Sequence, residues 1–317
     1  MNIVKCRSIK NEKIKMKNYN VKLNLPLFYK KKFIIFSLPQ SSHYHQILNL
    51  KIKSLNYQII DEKKWGNKII ILSCESEDQD PKQHNFISFT IKPFLFKSSI
   101  NPNLTLNSYQ KTKIPKIYLT PNRFINGGDP KIKSLAKKAI GQEKNLLKVV
   151  KKLYHFTLNY LTYGQPIDGL YPYHQALNER VTDCGGFSTF LASLFQSQNI
   201  PSRLVVGFII KKNFLIDFLS TLNFYLTTFD FSLLTFNFLL MHAWLEVLLP
   251  NNQWFPLDPS LDWRRKKGQT KRQGGFGFIP NDRLVTSYGC DFDLKIDGKN
   301  YKIDLLQKVN LVKIKNG

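Results

Sequence analysis

The chain has 317 residues, of which 43% are hydrophobic and 13% aromatic, so it can bury a sizeable core and is expected to form two domains. Its formal net charge of +25 is concentrated in residues 1–32, 131–152 and 264–272. A basic chain suits an anionic partner, but these segments do not interleave basic with aromatic residues. We therefore attribute the charge to a lysine-rich composition and expect no specific nucleic-acid partner.

The spacing of the four cysteines bears on compartment and cofactors. Cys6, Cys74, Cys184 and Cys290 lie far apart and form no CxxC pair. This spacing argues against a metal cluster or a disulfide framework and is typical of a reducing compartment. Since no signal-peptide core or clear membrane span is recognised, we expect a cytoplasmic protein that needs neither a metal nor an organic cofactor.

The N-terminal third is predicted to be rich in strands. Residues 1–32 form a basic N-terminal arm. Residues 33–100 carry short runs of alternating apolar residues separated by turns, which is typical of a small β-sandwich. Prolines and asparagines mark a linker over residues 101–125, so a second domain spans residues 126–317.

The second domain is predicted to open with helices. Residues 127–130, Gly-Gly-Asp-Pro, are a helix-start signal with proline in the first turn. Helical spacing of apolar residues continues over 131–161, with a predicted break at Gly141. A loop rich in glycine, proline and tyrosine follows over 163–173 and lies directly before the most informative stretch of the chain.

That stretch places Cys184 at the start of a helix. Thr182 and Asp183 are good N-cap residues, and one apolar face recurs at the helical period; its members are Phe187, Phe190, Leu191, Leu194 and Phe195. Unpaired N–H groups and the helix dipole stabilise a thiolate, so we expect the pKa of Cys184 to fall below about 8.5 and the thiol to be the most reactive in the chain. The alternative is an inert buried cysteine.

Residues 213–241 form an aromatic insertion between two predicted strands. The run from 214 to 241 is too short for a helical membrane hairpin, which needs about 40 residues. Asp217 and Asp230 also interrupt it. Two interpretations stay open: a lid or partner-docking segment over the cleft, or a peripheral contact with a membrane surface.

A predicted β-hairpin brings His242 and Asp258 together. Two runs of aromatic and branched residues flank the turn at 250–252, and the register places His242 opposite position 258 or 259. Trp244 is expected to pack beside the histidine. Glu246, on the same strand face, is an alternative partner for His242.

A thiol, an imidazole and a carboxylate in these positions supply the parts of a Cys-His-Asp triad. At this point the chain resembles the transglutaminase-like superfamily, in a bacterial type with an N-terminal β-domain. Four segments carry the resemblance: Asp-Cys-Gly-Gly-Phe-Ser at 183–188, Ile-Pro-Ser-Arg-Leu-Val-Val-Gly at 200–207, His-Ala-Trp-Leu-Glu-Val at 242–247 and Trp-Phe-Pro-Leu-Asp-Pro at 254–259.

The resemblance implies an α+β fold, in which a papain-like catalytic domain packs the helix of Cys184 on an antiparallel sheet carrying His242 and Asp258. It further implies that Cys184 is the nucleophile, His242 the general base and Asp258 the orienting acid. The loop before the cysteine lines the substrate channel in such proteins. Candidate oxyanion or substrate contacts are therefore Tyr171, Tyr173, Gln175 and Trp244, beside the N–H of Cys184.

The expected reaction is acyl transfer from a peptide or protein substrate through a thioester. Hydrolysis of a peptide or amide bond is the first choice, and transfer of a glutamine acyl group to an amine is the second. A non-catalytic binding or scaffold protein, using the basic faces and the insertion, is the alternative from a different class.

Overall fold

The computed structural model describes residues 18–24, 32–53, 57–73, 86–210, 239–307 and 310–313. Most of the predicted arm lies outside these ranges. So does the aromatic insertion up to residue 238, and with it the predicted lid, docking or membrane role. Among the described residues, no helix is long and apolar enough to cross a membrane.

The N-terminal region consists of short strands and is followed by 3₁₀ turns. The strands are β1 Tyr19–Asn24, β2 Lys32–Leu38, β3 His45–Lys53, β4 Tyr57–Glu62, β5 Asn67–Ser73, β6 Phe86–Pro93 and β7 Phe96–Lys97. The turns, Leu106–Lys111 and Lys116–Leu119, occupy the predicted linker.

Helices and further strands make up the rest of the chain. The helices are α1 Pro130–Ile140, α2 Leu146–Tyr160, α3 Tyr173–Glu179, α4 Cys184–Ser197 and α5 Pro259–Lys266. The strands are β8 Thr162–Tyr163, β9 Val181–Thr182, β10 Ser202–Ile210, β11 Leu239–Leu248, β12 Trp254–Leu257, β13 Phe278–Ile279, β14 Arg283–Tyr288, β15 Phe292–Ile296, β16 Lys299–Ile303 and β17 Asn310–Lys313.

The N-terminal strands form two facing sheets, which confirms the predicted β-rich region. One sheet has the order β1-β6-β3, and the other has the order β17-β2-β5-β4. Alternate residues of β2 point to opposite faces: Ile34 and Phe36 pack toward Ile87 of β6, whereas Ile35 packs toward Phe292 of β15. The β2–β5 sheet is thus covered on both sides.

The C-terminal strands return to this region. β17 pairs with β2, β13 pairs with β7, and the β15–β16 hairpin packs on the outer face of the β2–β5 sheet. The indole N–H of Trp65 also donates to the carbonyl of Cys290 at 3.0 Å. Residues that the sequence analysis assigned to the second domain therefore pair with and cover the β17-β2-β5-β4 sheet of the N-terminal region.

The helical predictions for residues 131–161 are confirmed, including the break. α1 ends at Ile140 and is capped by Gly141, whose positive φ of 62° suits glycine. α4 is buried on all sides, rather than on one apolar face alone. Two of its buried serines are satisfied inside the helix, since Ser188 donates to the carbonyl of Cys184 at 2.8 Å and Ser193 to that of Thr189 at 2.8 Å.

α4 packs on an antiparallel sheet with the order β12-β11-β10-β14. His242 of β11 pairs with Gly207 of β10, and β14 approaches Gly207 so closely that a Cβ there would lie 1.9 Å from the carbonyl oxygen of Leu284. β11 and β12 form the predicted hairpin, with Leu248 opposite Trp254. This sheet and the start of α4 carry the candidate site.

Candidate active site

Cys184 is the first residue of α4, as the sequence predicts. Asp183 is the N-cap, and its Oδ1 accepts from the N–H of Gly186 at 3.1 Å. A Cβ on Gly186 would lie 1.8 Å from Oγ1 of Thr182, so only glycine allows the strand β9 to turn this tightly into the helix. The turn leaves Cys184 half-buried at the helix end.

The direction predicted for the pKa of this thiol is wrong. Burial, followed by the nearby carboxylates of Asp183 and Asp258, raises the pKa of Cys184 to about 12, although N–H groups of Ala243 and Gly185 oppose the rise. The N–H groups at the helix N-terminus lower the pKa of the thiol, but burial raises it by more. The resting residue is a neutral thiol whose sulfur contacts the N–H of the residue that follows His242.

His242 is buried on β11 and contacts Asp258. Its Nε2 lies 2.8 Å from Oδ2 of Asp258, so the contact predicted from the hairpin is present. The ring also stacks on Trp244, with centroids 5.9 Å apart and planes inclined by 24°. The side-chain amide of Gln307, which the sequence analysis did not single out, donates to the carbonyl of His242 at 3.0 Å and ties the chain after β16 to this strand.

Asp258 differs from the prediction in its local structure. It lies one residue beyond β12 and caps α5, where its Oδ1 accepts from the N–H of Leu261 at 3.1 Å and Pro259 occupies the first turn. Burial would raise the pKa of Asp258, but His242 and then Arg283 lower it to about 2. The carboxylate is therefore ionised at neutral pH.

Arg283 is a site residue that the sequence analysis missed. It is fully buried on β14, and its Nη2 donates to Oδ2 of Asp258 at 3.2 Å. Its guanidinium carbon lies 5.7 Å from the ring centroid of Trp244, and Nη1 also contacts Asp282. The only signal in the sequence is a lone arginine at the start of a strand whose other residues carry no charge.

Trp244 is fully buried and links the histidine to the N-terminal region. Its indole N–H donates to the hydroxyl of Tyr44 at 3.1 Å, and that hydroxyl donates to Oε1 of Glu246 at 2.6 Å. Glu246 is also bound by the Nε of Arg203 at 2.8 Å. Trp244 thus lies between His242 and Glu246. The carboxylate of Glu246 is held by Tyr44 and Arg203 rather than by His242.

Those partners fix the charge of Glu246. Burial acts to raise its pKa, but Arg203 and then His43 lower the pKa to about 2. The guanidinium of Arg203 lies 3.8 Å from the ring centroids of both Trp254 and Tyr288. Glu246 is accordingly one member of a buried network, and Asp258 is the carboxylate in contact with His242.

The structure places the other predicted contact residues as follows. The hydroxyl of Tyr171 donates to the carbonyl of Gln165 at 3.0 Å, and the hydroxyl of Tyr173 donates to Oδ2 of Asp129 at 3.1 Å. Gln175 lies half-buried in α3. The tyrosine hydroxyls are engaged away from the thiol, whereas the backbone nitrogen of Tyr171 lies 3.8 Å from where a Cβ on Gly185 would stand.

Tyr163 lies beside the turn that carries the thiol, and Arg264 packs on its ring. β8 pairs Tyr163 with Thr182, and the ring of Tyr163 lies 6.3 Å from the ring of Phe187 in the first turn of α4. The guanidinium of Arg264 lies 4.8 Å from the Tyr163 centroid. Burial raises the pKa of Tyr163 to about 12, and the guanidinium of Arg264 opposes this rise.

The geometry offers an acid–base pair beside a thiol. The contact with Asp258 fixes the proton of His242 on Nε2. The start of α4 supplies backbone N–H groups next to the sulfur of Cys184. Among the described residues, no group of three or more His, Cys, Asp or Glu side chains could hold a metal ion.

Comparisons with known proteins bear on the family and the fold. Residues 133–259 match the Transglutaminase-like superfamily. The structure is similar to a candidate cysteine protease from Cytophaga hutchinsonii, with a TM-score of 0.51 and 13% identity, covering 95% of this chain and 90% of that chain. At this identity the likeness concerns the fold alone. The comparison with curated proteins found no match.

Two further solved structures are more distant. The periplasmic domain of TgpA from Pseudomonas aeruginosa, bound to ethylmercury, has a TM-score of 0.37 and 14% identity, covering 76% of this chain and 93% of that chain. Red sea bream transglutaminase has a TM-score of 0.31 and 13% identity, covering 91% and 60%. These two likenesses carry no argument about function.

Proposed function

Because residues 133–259 form a transglutaminase-like domain, we propose that the protein is a cysteine enzyme that transfers the acyl group of a peptide or amide bond, most often to water. One observation carries the proposal: Asp258 holds Nε2 of His242 at 2.8 Å, while the thiol of Cys184 contacts the N–H of Ala243, the next residue along the same strand. Asp258 thereby leaves Nδ1 of His242 to serve the thiol.

The proposed chemistry begins with a neutral thiol. As the sulfur of Cys184 attacks the substrate carbonyl carbon, its proton passes to Nδ1 of His242, and the ionised Asp258 stabilises the imidazolium. Backbone N–H groups at the start of α4, including that of Cys184, face the developing oxyanion.

The imidazolium then gives its proton to the leaving amine. The C–N bond breaks, and the acyl group remains on Cys184 as a thioester. Water attacks the thioester with His242 as base, so the acid product leaves and the thiol is restored. With the pKa of the thiol raised to about 12 by burial, proton transfer and attack are expected to occur together.

Water is the acceptor we favour, because an amine acceptor needs a binding site of its own. We propose a peptide or protein as the substrate. The cytoplasm is the compartment we favour, because the wide cysteine spacing suits a reducing environment.

The raised pKa of Cys184 also favours a second candidate function. A thiol that stays neutral and half-buried suits a non-catalytic binding protein, since the nucleophile would seldom form. This candidate predicts an intact fold with no acyl transfer.

Product analysis separates these functions. The purified protein is incubated with a peptide library, with and without a primary amine, and the products are identified by mass spectrometry. We expect cleaved or deamidated peptides, their loss in Cys184→Ala, and no loss in Cys290→Ala, which removes a buried cysteine of the core. Amine conjugates in excess of hydrolysis would replace hydrolysis by transglutamination, and no product of any kind would favour the binding protein.

A further inference from the structure

Arg264 is a cation at the edge of the candidate site, and among the described residues it has no acidic partner. It lies on α5, six residues after Asp258, and is half-buried. Within the described part of the chain it forms no ion pair, and its Nε is buried without a hydrogen-bond partner. Burying a guanidinium without satisfying its N–H groups costs free energy, so this arrangement needs an explanation.

The neighbouring cations on the same helix are paired. Nη2 of Arg265 lies 2.5 Å from Oδ1 of Asp262, and Nζ of Lys266 lies 3.8 Å from Oδ2 of the same residue. Arg265 also donates to the carbonyl of Gly274. The single carboxylate of Asp262 therefore serves both of these cations but not Arg264, which packs on the ring of Tyr163.

Contacts with Tyr163 place Arg264 next to the turn that carries the thiol. The guanidinium lies 4.8 Å from the Tyr163 ring centroid. That ring lies 6.3 Å from Phe187, three residues beyond Cys184, and the backbone of Gly164 donates to the carbonyl of Thr182 at 2.9 Å. A group bound by Arg264 would consequently lie at the border of the acyl-transfer site.

The chemistry of arginine selects the ligand. A guanidinium presents a planar fork of N–H donors that matches a carboxylate, and stacking on an aromatic ring fixes the orientation of that fork. Arg264, Lys267 and Lys271 lie in one basic stretch of chain. The carboxylates of this region have other partners: Asp262 pairs with Arg265 and Lys266, and Asp258 contacts His242 and Arg283.

We propose that Arg264 binds a carboxylate of the acyl substrate, so that the protein acts preferentially on acidic peptides. This inference rests on the proposed function and specifies its substrate class. The carboxylate belongs either to a Glu or Asp side chain near the reacting bond or to the C-terminus of the peptide, and both present the same ligand to the guanidinium.

Turnover of matched peptides tests the inference. Peptides of the library are resynthesised in pairs that differ only by Glu against Gln at one position, or by a free against an amidated C-terminus, and kcat/KM is measured for each. We expect at least a tenfold preference for one acidic member, which corresponds to about 1.4 kcal/mol. Arg264→Gln should bring that ratio close to one, whereas Lys267→Gln, which removes the same charge three residues away, should leave it unchanged.

Binding of the same pairs to Cys184→Ala gives a readout that does not need turnover. Isothermal titration should show the same acid preference and its loss in Cys184→Ala with Arg264→Gln. Arg264→Glu should reverse the preference toward Lys-containing peptides, which a merely structural arginine would not do. Equal Kd and kcat/KM for acid and amide members would overturn the inference and leave the proposed function standing. Acid-selective binding without any turnover would support the inference and overturn the enzyme.

Discussion

Replacing Arg283 with methionine tests whether the buried charges around Asp258 form a mutually dependent set. The guanidinium is fully buried, with Nη2 at 3.2 Å from Asp258 and Nη1 on Asp282. Removing one partner of a buried pair leaves an uncompensated charge and costs about 3–5 kcal/mol. We expect a loss of that size in the free energy of unfolding, measured by urea denaturation at pH 7.

The pH dependence of this loss has a definite sign. The pKa of Asp258 in the folded protein is lowered to about 2, against about 3.9 in an unfolded chain. A depressed folded pKa stabilises the protein above pH 4, by a few kcal/mol, and that contribution is lost as the pH falls from about 4 to 2. In Arg283→Met the folded pKa should move back toward its usual value, so the acid side of the stability profile should become shallower.

A matched control is available on the surface. Arg123 also pairs with two carboxylates, Asp291 and Asp304, but its side chain is 43% exposed. Arg123→Met should cost less than about 1 kcal/mol, because exposed ion pairs contribute little. If Arg283→Met lowered the stability no more than this control does, the interpretation of Asp258 and Arg283 as a dependent buried pair would be wrong.

Three further outcomes are expected. Alkylation of Cys184 by iodoacetamide, followed by peptide mapping, should accelerate about tenfold per pH unit between pH 7 and 9, because the pKa of the thiol is raised to about 12. A rate that stayed constant over this range would mean that Cys184 and His242 rest as a thiolate–imidazolium pair. Tyr44→Phe removes the hydroxyl that accepts from Trp244 and donates to Glu246, so thermal unfolding should show that the free energy of unfolding falls by about 1–3 kcal/mol. In the same variant kcat should fall while KM is kept. An unchanged kcat would refute a link between this network and His242. Nucleic-acid duplexes of unrelated sequence should bind the protein weakly and with equal affinity, and fluorescence anisotropy should show this affinity falling steeply from 50 to 200 mM salt. Tight, sequence-dependent binding would contradict this expectation.

Local signals in the sequence predicted much of the site. The N-cap Asp183, the glycines and the apolar spacing all lie within about three helical turns of Cys184, so the start of α4 follows from the residues themselves. The hairpin predicted the contact between His242 and Asp258, but the predicted register was wrong, because β12 ends at Leu257 opposite Leu245 and no described strand residue faces His242 across the hairpin. The N-cap position of Asp258 was not predicted, although a proline directly after an aspartate is a helix-start signal.

Other features depend on contacts between distant parts of the chain. Tyr44 meets Trp244 across 200 positions of sequence, and Arg283 meets Asp258 across 25. No local period or spacing encodes such pairs. The pKa of Cys184 was predicted in the wrong direction for the same reason, since the helix N-terminus is a local property whereas burial arises from the packing of α4 against β11.

Intact-mass spectrometry of the acylated protein tests the central claim most directly. The protein is mixed with an activated peptide ester, quenched in acid within seconds, and digested to locate the acyl group. We expect one acyl adduct on Cys184 that decays as the free acid appears, with adduct formation at least a hundredfold slower in His242→Ala, in line with the general-base contribution of about 10²–10⁴. No adduct on Cys184, or adduct formation at the same rate without His242, would contradict the assignment of Cys184 and His242 as nucleophile and base.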